Sequence, residues 1–307
     1  MDTARPGLDF ICIGGQKCAS TYVHRAIAQH PACWMPRAEI HWFEDPDYAS
    51  FTPAAMDKLR AMCDRPGALR GVKRPALLGR EECAPRLAKH FPDAKLIAVL
   101  RNPVHRAISA YYHYINNGIH PPEPLRKGLG RILDGRARWP GHRRILEFGE
   151  YHRHLARFLE HFRREQLLVL LYDDLKVEPD SVVAECYRFL GVDTAFRPPD
   201  DIGRPQHGLY SLPRLRWRAL RAPLVYDLDT EHSRSYPKRR LSPASSFLSR
   251  AVSSIDSHIL SRIFGEPPQD RDPEVVARLR EYYAADVGRL SKLLGRDLSH
   301  WLTPKPQ

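Results

Sequence analysis

A glycine-rich turn near the start of the chain carries the residue types that bind a phosphate-like anion. The apolar run from Phe10 to Ile13 stops at two glycines, and Lys17, Ser20 and Thr21 follow. A strand, a glycine-rich turn and a helix N-terminus together point backbone N–H groups and the positive end of the helix dipole at a ligand. The stretch therefore predicts an anion-binding turn.

This turn departs from the pattern of nucleoside triphosphate-binding loops. That pattern is G-x-x-x-x-G-K-[ST], in which the lysine follows the second glycine and a hydroxyl binds Mg²⁺. Here Lys17 precedes the small and hydroxyl residues, and Ala19 stands where a glycine is common. The same residues also fit a plain strand-to-helix connection with a surface lysine, so the turn alone does not identify the anion.

A second candidate anion site follows the apolar run KLIAVL at residues 95–100. Arg101 comes at the carboxyl end of this predicted parallel strand, which is where open α/β sheets bind ligands. Ser109 follows eight residues later, two turns into the next predicted helix. An arginine fork and a serine hydroxyl can both donate hydrogen bonds to a phosphate. The alternative interpretation is a loop-capping arginine and a solvent-facing serine.

The elements that must position these residues alternate between strands and helices. Hydrophobic patterning predicts strands over 9–14, 95–100 and 167–172, and helices over 20–30, 53–65, 82–91, 103–116, 151–163, 177–190 and 273–294. Such alternation favours the α/β class, with a central parallel sheet and crossover helices. Two stretches, 119–146 and 198–245, interrupt it and are rich in proline and arginine. Long connections of this kind often form lids or binding loops, or else solvated surface.

The length of 307 residues suffices for one large α/β domain or two small ones, and we predict a single domain over residues 1–307. The composition favours anionic partners. The net charge of +12 favours nucleotides, acidic glycans, nucleic acid or a membrane surface without choosing among them. Six scattered cysteines have neither C-x-x-C nor zinc-site spacing, which indicates reduced thiols and no metal site. Without a signal-peptide pattern or an apolar run of about 20 residues, we expect a cytoplasmic protein with no transmembrane segment.

The segment RNPVHRAISAYY, which begins at Arg101, resembles the 3′-phosphate-binding segment of sulfotransferases that use 3′-phosphoadenosine 5′-phosphosulfate (PAPS). The family pattern R-N-P-x-x-R-A-x-S-x-Y is matched by Arg101, Asn102, Pro103, Arg106, Ala107, Ser109 and Tyr111. The opening turn resembles the family's 5′-phosphosulfate loop, G-x-x-K-x-G-T-T, with Ala19 in place of the usual glycine. Its N–H can still donate, so we expect a modest change of loop shape.

Further segments agree with this resemblance. PRAEIHWF at 36–43 is similar to the P-K-K-E-x-H-F-F segment of the carbohydrate and heparan-sulfate branch, with Ala38 replacing a lysine. GVKRPALL at 71–78 is similar to the family's E-K-S/T-P-x-Y segment, from which Val72 and Arg74 depart. Segments at 167–175 and 280–301 resemble a later strand and the closing helix of bacterial members. The resemblance covers 8–195 and 273–302 and is weak over 196–272.

The resemblance implies a P-loop-like three-layer fold with a central parallel sheet flanked by helices, and a role for each candidate residue. Glu39 falls on the general base, Lys17 stabilises the leaving phosphate oxygen, and Lys73 contacts the sulfonate or orients Glu39. His41 is the second candidate base. The expected donor-binding residues are Gly15, Gln16, Lys17, Cys18, Ala19, Ser20, Thr21, Arg101 and Ser109, with Lys238 and Arg239 from a basic segment. No metal is required, because lysine and arginine neutralise the donor.

The expected acceptor is a hydroxyl on a glycan, a glycolipid or a sugar-bearing metabolite, and the product nucleotide is PAP, the desulfated donor. Transfer to an amine stays open. The arginines of 126–144 could contact an acidic glycan, and Trp139, Trp217 and Tyr210 could stack on sugars. Any of these aromatic residues could equally anchor a loop. Nucleic acid is not an expected partner.

Three alternatives stay open at the level of sequence. A variant ATP-dependent phosphotransferase would require Mg²⁺ and ATP, but gives the Arg101 and Ser109 segment no role. A non-catalytic polyanion-binding protein is suggested by the charge of +12. A sulfotransferase fold that binds donor without turnover is suggested by the departures from the family pattern, which are Ala19, Ala38, Val72 and Arg74.

Overall fold

The computed structural model describes residues 7–63, 65–198, 210–229, 234–238, 240–265 and 272–303. The chain divides into two compact units. The first comprises Met1–Asn102, Glu150–Gln206 and Arg289–Gly295, and the second comprises Pro103–Gly149, His207–Gly288 and Arg296–Gln307. The prediction of a single domain over residues 1–307 stays a prediction.

The first unit is built on a five-stranded parallel sheet. Its strands are β1 (Phe10–Gly14), β2 (Cys33–Trp34), β3 (Leu69–Lys73), β4 (Lys95–Leu100) and β5 (Leu167–Leu171), in the order β2-β3-β1-β4-β5. All neighbouring strands run parallel. Every residue of β1 is buried, as is typical of a central strand whose two faces are both covered. This sheet and its flanking helices confirm the predicted α/β fold class.

The described residues form the following α-helices, given in chain order. They are α1 (Ser20–Gln29), α2 (Pro53–Met62), α3 (Cys83–His90), α4 (Pro103–Asn116), α5 (Leu125–Leu133), α6 (Arg144–Glu147), α7 (Tyr151–Leu159), α8 (Tyr172–Val177), α9 (Pro179–Leu190), α10 (Leu212–Ala219), α11 (Ala222–Val225), α12 (Pro243–Ile255), α13 (Ser261–Ile263) and α14 (Pro273–Leu294). Short 3₁₀ turns occur at Asp47–Ser50, Arg164–Gln166 and Ser299–Trp301, and a π-helical turn at Asp256–Leu260. In the first unit, α1 packs on α9 and α3 packs on α7.

The predicted bounds are correct for the strand and helices with the strongest hydrophobic patterns. One strand, whose sequence mixes polar and apolar residues, was not predicted. The predicted strand at 95–100 and the helices at 103–116 and 273–294 coincide with β4, α4 and α14. β3 was not predicted, because its sequence LRGVK lacks an apolar run. It forms because it pairs with β1, where Gly71 lets the Phe10 ring approach: a Cβ on Gly71 would lie 2.1 Å from that ring.

The predicted helix over 177–190 begins later than expected. The chain makes α8, then breaks at Glu178 and restarts as α9 at Pro179. A residue that precedes proline avoids the helical conformation, which explains this boundary. The predicted helix over 151–163 ends at Leu159.

The second unit contains regular structure in both stretches that were predicted as irregular connections. Residues 119–146 include α5 and most of α6, and residues 198–245 include α10, α11 and an antiparallel hairpin of β6 (Tyr226–Asp229) and β7 (Arg234–Pro237). Buried tyrosines organise the unit: the Tyr111 hydroxyl donates to the Glu123 carbonyl at 2.9 Å, and the Tyr283 hydroxyl donates to the Leu146 carbonyl at 2.8 Å.

Neither a membrane-spanning helix nor a cluster of metal ligands occurs in the described ranges. No helix in them combines the length and apolar character needed to cross a membrane. No group of three or more histidine, cysteine, aspartate or glutamate side chains in them has an arrangement that could hold a metal ion.

Candidate active site

The turn between β1 and α1 presents an open helix N-terminus at the carboxyl end of the sheet. Gly15 N–H donates to the Val99 carbonyl at 2.7 Å, which ties the turn to β4. α1 begins at Ser20 with no side-chain N-cap hydrogen bond and no acidic residue in its first turn. Because the first N–H groups of a helix lack intrahelical partners, this end of α1 is suited to receive an anion.

Two residues of the turn adopt a backbone conformation that favours glycine. Lys17 has φ of 67° and Ala19 has φ of 68°. A left-handed conformation costs an L-residue about 1–2 kcal/mol, whereas glycine adopts it freely. Ala19, which stands where the family pattern has glycine, therefore takes up the glycine-like conformation and carries local strain.

The turn is packed tightly against its surroundings in the first unit. A Cβ on Gly14 would lie 2.6 Å from the Pro75 carbonyl, so a side chain there would collide with the segment after β3. Cys18 is fully buried, with its Sγ 3.4 Å from the Tyr151 hydroxyl. The Cys18 side chain thus fills the interior behind the turn.

Lys17 and Arg101 bring two positive charges to adjacent strand ends. Arg101 follows β4, and its Nη1 lies 3.5 Å from the Lys17 carbonyl oxygen. The Arg101 guanidinium lies over the Tyr172 ring, 4.9 Å from the ring centroid. Burial lowers the pKa of Lys17, and the charge of Arg101 lowers this pKa further. A bound anion would relieve both effects, because an opposite charge favours the protonated amine.

Glu39 lies in an ion-pair network that reaches the turn. Its Oε1 is 2.9 Å from Lys73 Nζ, and its Oε2 is 2.9 Å from Arg74 Nη1. Lys73 is buried at the end of β3, and its Nζ also donates to the Thr21 hydroxyl at 3.1 Å. Thr21 belongs to the first turn of α1, so Lys73 connects the anion-binding turn to Glu39.

The surroundings of Glu39 keep it ionised. Burial raises the pKa of the Glu39 carboxyl, but the positive charges and hydrogen bonds of Lys73 and Arg74 outweigh burial and leave the pKa below its usual value. Glu39 is therefore a carboxylate at neutral pH and able to accept a proton. Its two oxygens are held in place by two different cations.

Arg74 is held in turn by a second carboxylate. Glu44 is completely buried, and its Oε2 lies 3.0 Å from Arg74 Nη2 and 2.9 Å from Arg80 Nε. Arg74 Nε also pairs with Glu44 Oε1. A buried carboxylate is tolerated only when it is compensated, and here two guanidinium groups compensate it. The result is a chain of charges from Arg80 through Glu44 and Arg74 to Glu39.

Several sequence-predicted residues lie in the second unit or outside the described residues. Ser109 is buried in α4. Lys238 donates from Nζ to the Pro223 carbonyl at 2.9 Å. Arg239 lies outside the described residues. These assignments, like those of the first unit, stay predictions.

The three candidate sugar-stacking aromatic residues make contacts within the second unit. The Trp217 Nε1–H donates to the Val252 carbonyl at 2.9 Å. The Tyr210 ring lies 5.4 Å from that of Tyr112. Trp139 lies 5.2 Å from the ring of His120. All three therefore help to anchor the unit.

Sequence reasoning missed Glu44 and Arg80 and treated Arg74 only as a departure from a pattern. In the structure Arg74 is the cation that joins Glu39 to Glu44. The replacement of a small hydroxyl residue by arginine, together with acidic and basic residues after β2 and β3, was the available signal. The pairing itself depends on which strands become neighbours.

Comparison with known proteins finds similarity in sequence and in fold. The sequence model of the sulfotransferase domain family matches residues 9–204. The human bifunctional heparan sulfate N-deacetylase/N-sulfotransferase 2 is 28% identical over 194 residues, which cover 60% of this chain and 22% of that protein. Bifunctional heparan sulfate N-deacetylase/N-sulfotransferase 1 of Xenopus laevis is 33% identical over 120 residues, covering 37% of this chain and 13% of that protein. The chain thus spans about a fifth or less of the length of these curated relatives.

A solved structure supports the same fold. The crystal structure of a sulfotransferase from Alicyclobacillus acidocaldarius aligns with a TM-score of 0.64 at 23% identity, covering 98% of this chain and 100% of that one. At this identity the likeness concerns the fold.

Proposed function

Because the chain belongs to the sulfotransferase domain family, we propose that it transfers a sulfuryl group from PAPS to a sugar hydroxyl, with Glu39 as general base. One observation carries the proposal. Lys73 Nζ lies within hydrogen-bond distance of both Thr21, in the anion-binding turn, and Glu39. A donor site and a candidate base thereby meet through one buried lysine.

The proposed reaction breaks one sulfur–oxygen bond and forms another. The bond between sulfur and the 5′-phosphate oxygen breaks as the acceptor oxygen bonds to the same sulfur, in line with the departing oxygen. The acceptor proton goes to the Glu39 carboxylate, and PAP leaves with the electron pair of the broken bond. As in phosphoryl transfer, positioning and charge stabilisation supply most of the acceleration.

The first unit supplies a group for each of these tasks. The N–H groups of the turn and the hydroxyls of Ser20 and Thr21 hold the 5′-phosphate, and Lys17 stabilises negative charge on the leaving oxygen. Lys73 orients Glu39 and lies beside the reacting sulfonate. Glu39 is ionised, because its pKa is below its usual value, and a carboxylate can accept the proton. The cations that lower this pKa also lower the basicity of the carboxylate. A positioned base of this kind contributes about 10²–10⁴-fold.

The 3′-phosphate distinguishes the donor PAPS from ATP. We assign its recognition to Arg101 and, through the family resemblance, to Ser109. The position of Arg101 beside Lys17 at the carboxyl end of the sheet supports the assignment. ATP carries no 3′-phosphate and would leave this arginine without a ligand.

A sugar acceptor is supported by the relatives, which are named as bifunctional heparan sulfate N-deacetylases/N-sulfotransferases. Because that name denotes transfer to nitrogen, it supports an amine as the second candidate acceptor group. The net charge of +12 suits an acidic glycan or glycolipid. Transfer to an amine would use the same carboxylate. All six cysteines are buried and form no disulfides, which supports the cytoplasm as the proposed compartment.

The first experiment is calorimetric titration of the full chain with PAP and, separately, with ATP plus Mg²⁺. The proposal expects tight binding of PAP and weak binding of ATP. Binding of ATP without PAP would identify a phosphotransferase. Binding of neither nucleotide, together with steeply salt-dependent binding of heparin, would identify a polyanion-binding protein. Once PAP binding is established, labelled PAPS offered to a panel of glycans tests turnover.

A further inference from the structure

The helical run from α12 to α13 in the second unit has an inverted distribution of polar and apolar side chains. It consists of α12, the π-helical turn Asp256–Leu260 and α13, which follow one another without a break. No residue of α12 is buried. A helix on the surface of a globular protein ordinarily turns its apolar stripe towards the core.

The side of this run that contacts the rest of the unit is polar. Asp256 is buried, with its Oδ1 2.9 Å from Arg214 Nε and its Oδ2 3.5 Å from Arg218 Nη1. Arg221 Nη1 donates to the Ser253 hydroxyl at 3.1 Å. These arginines lie on and just after α10, so charge and hydrogen bonds hold the run in place.

The exposed side of the run combines apolar side chains with the polar residues Ser254, Ser257 and His258. Phe247 is 72% exposed, Leu248 49%, Ile259 51% and Ile263 64%. From Leu248 the stripe continues through the half-buried Ile255. Positions four residues apart drift around an α-helix, and the wider π-helical turn between Ile255 and Ile259 offsets this drift. Leu248, Ile255, Ile259 and Ile263 therefore fall along one stripe, with Phe247 and the polar Ser254 and His258 beside it. An exposed apolar stripe is the kind of surface that marks an interaction site.

The charged side chains that accompany the stripe are all positive. Arg240, Arg250 and Arg262 are exposed along residues 240–265. The acidic residue of this range, Asp256, is buried and paired on the opposite side. An apolar stripe with basic flanks is the pattern of helices that lie in a membrane interface.

We infer that this apolar stripe docks the protein on an anionic lipid surface. The apolar side chains would enter the boundary between headgroups and acyl chains, and the arginines would contact lipid phosphates. A second copy of the chain fits this face less well, because a two-fold contact through it would bring arginines of both copies together. The inference does not depend on the proposed sulfuryl transfer.

Vesicle co-sedimentation of the full chain tests the inference. Vesicles of phosphatidylcholine alone are compared with vesicles that also contain phosphatidylglycerol. We expect binding to the anionic vesicles and little binding to the neutral ones. The double variant Phe247→Ser/Ile263→Ser should weaken binding about tenfold or more through lost apolar burial. Arg250→Gln/Arg262→Gln should weaken it about fivefold for each arginine.

Matched controls separate docking from loss of fold. Val177→Ser removes another exposed apolar side chain, which lies in the first unit, and should leave vesicle binding unchanged. Circular dichroism spectra and thermal unfolding midpoints should be the same in all variants. A Phe247→Trp variant should show blue-shifted emission on anionic vesicles and quenching by brominated lipid.

Two results would overturn the inference. One is equal binding of the wild-type chain and the Phe247→Ser/Ile263→Ser variant to anionic vesicles. The other is absence of vesicle binding together with a dimer, measured by sedimentation velocity, that the same variant dissociates. The second result would assign the face to contact between copies.

Discussion

The turn between β1 and α1 and the network around Glu39 lie in the same unit and balance charge in opposite ways. In the turn, Lys17 has Arg101 as its charged neighbour, and burial together with this like charge lowers the pKa of Lys17. In the network, the carboxylates of Glu39 and Glu44 are compensated by Lys73, Arg74 and Arg80, which are themselves within ion-pair distance.

This difference predicts that mutations in the two regions will have different effects. In the proposed function the turn gains its opposite charge from the donor, so changes there should act mainly on donor binding and on the leaving group. The network supplies its own opposite charges, so changes there should act on turnover and its pH dependence. Lys73 belongs to both, because it contacts Thr21 and Glu39.

The largest expected effect is that of Glu39→Gln. The amide keeps the shape of the side chain but cannot accept the acceptor proton, so kcat should fall about 10²–10⁴-fold. Calorimetry should show unchanged PAP affinity. Glu81→Gln, at an exposed carboxylate, is the control. Full turnover in Glu39→Gln would move the base role to His41 or another group.

The next largest effect should come from Lys17→Met in the turn. Loss of the ammonium removes stabilisation of the leaving phosphate oxygen, and kcat should fall about 10²–10³-fold. Single-turnover kinetics with labelled PAPS measures this step. The exposed Lys89 provides the control variant Lys89→Met. A variant that lost only PAP affinity and kept its rate would confine Lys17 to binding.

Arg101→Ala should weaken the binding of nucleotides that carry a 3′-phosphate more than the binding of nucleotides that lack it. Loss of a charged hydrogen-bond donor should lower the affinity for PAP about 10–100-fold. Adenosine 5′-phosphosulfate, which has no 3′-phosphate, should be weakened much less. Competition calorimetry on this variant and on Arg188→Ala, an exposed arginine, makes the comparison. Equal weakening of both nucleotides would remove the 3′-phosphate assignment.

A smaller effect, on pH dependence, is expected for Arg74→Ser, which restores the residue type of the family pattern. Arg74 helps to hold the pKa of Glu39 below its usual value, so the variant should have a higher Glu39 pKa. If Glu39 must be ionised for turnover, the acidic limb of the kcat/KM profile should move to higher pH. An unmoved limb would contradict this link between Arg74 and Glu39.

The Glu39 carboxyl also makes the stability of the folded protein depend on pH. Because the folded-state pKa of Glu39 is depressed, its contribution to stability is present above the unfolded-state pKa and is lost as pH falls through the folded-state pKa. In Arg74→Ser the smaller depression of this pKa should lower the stability at neutral pH and reduce the part of the stability that is lost on acidification. Arg74→Lys, which keeps a cation beside Glu44, separates this effect from general loss of fold.

The smallest effect is expected for Ala19→Gly. Glycine adopts the left-handed conformation of Ala19 without strain, so the variant should be more stable by about 0.5–1 kcal/mol, net of the entropy that glycine loses on folding. Thermal unfolding should show a slightly raised Tm with unchanged PAP affinity. A lowered Tm would show that the methyl group of Ala19 contributes packing that outweighs the strain.

Sequence by itself determined the parts of the site that are contiguous in the chain. The prediction of an anion-binding turn follows from an apolar strand, two glycines, Lys17 and the start of α1, all within residues 10–21. Arg101 follows from the end of β4 in the same way. Such segments are predictable because backbone preferences and hydrophobic periodicity act over roughly one strand or a few helical turns.

Tertiary structure alone decided which distant charges meet. Glu39 follows β2, Lys73 ends β3 and Thr21 follows β1, and the strand order β2-β3-β1 brings these three segments side by side. The outward apolar stripe of α12 depends likewise on how Arg214 and Asp256 pair across the second unit. Ion pairs between residues more than 30 positions apart depend on strand order and helix packing, which no local pattern specifies.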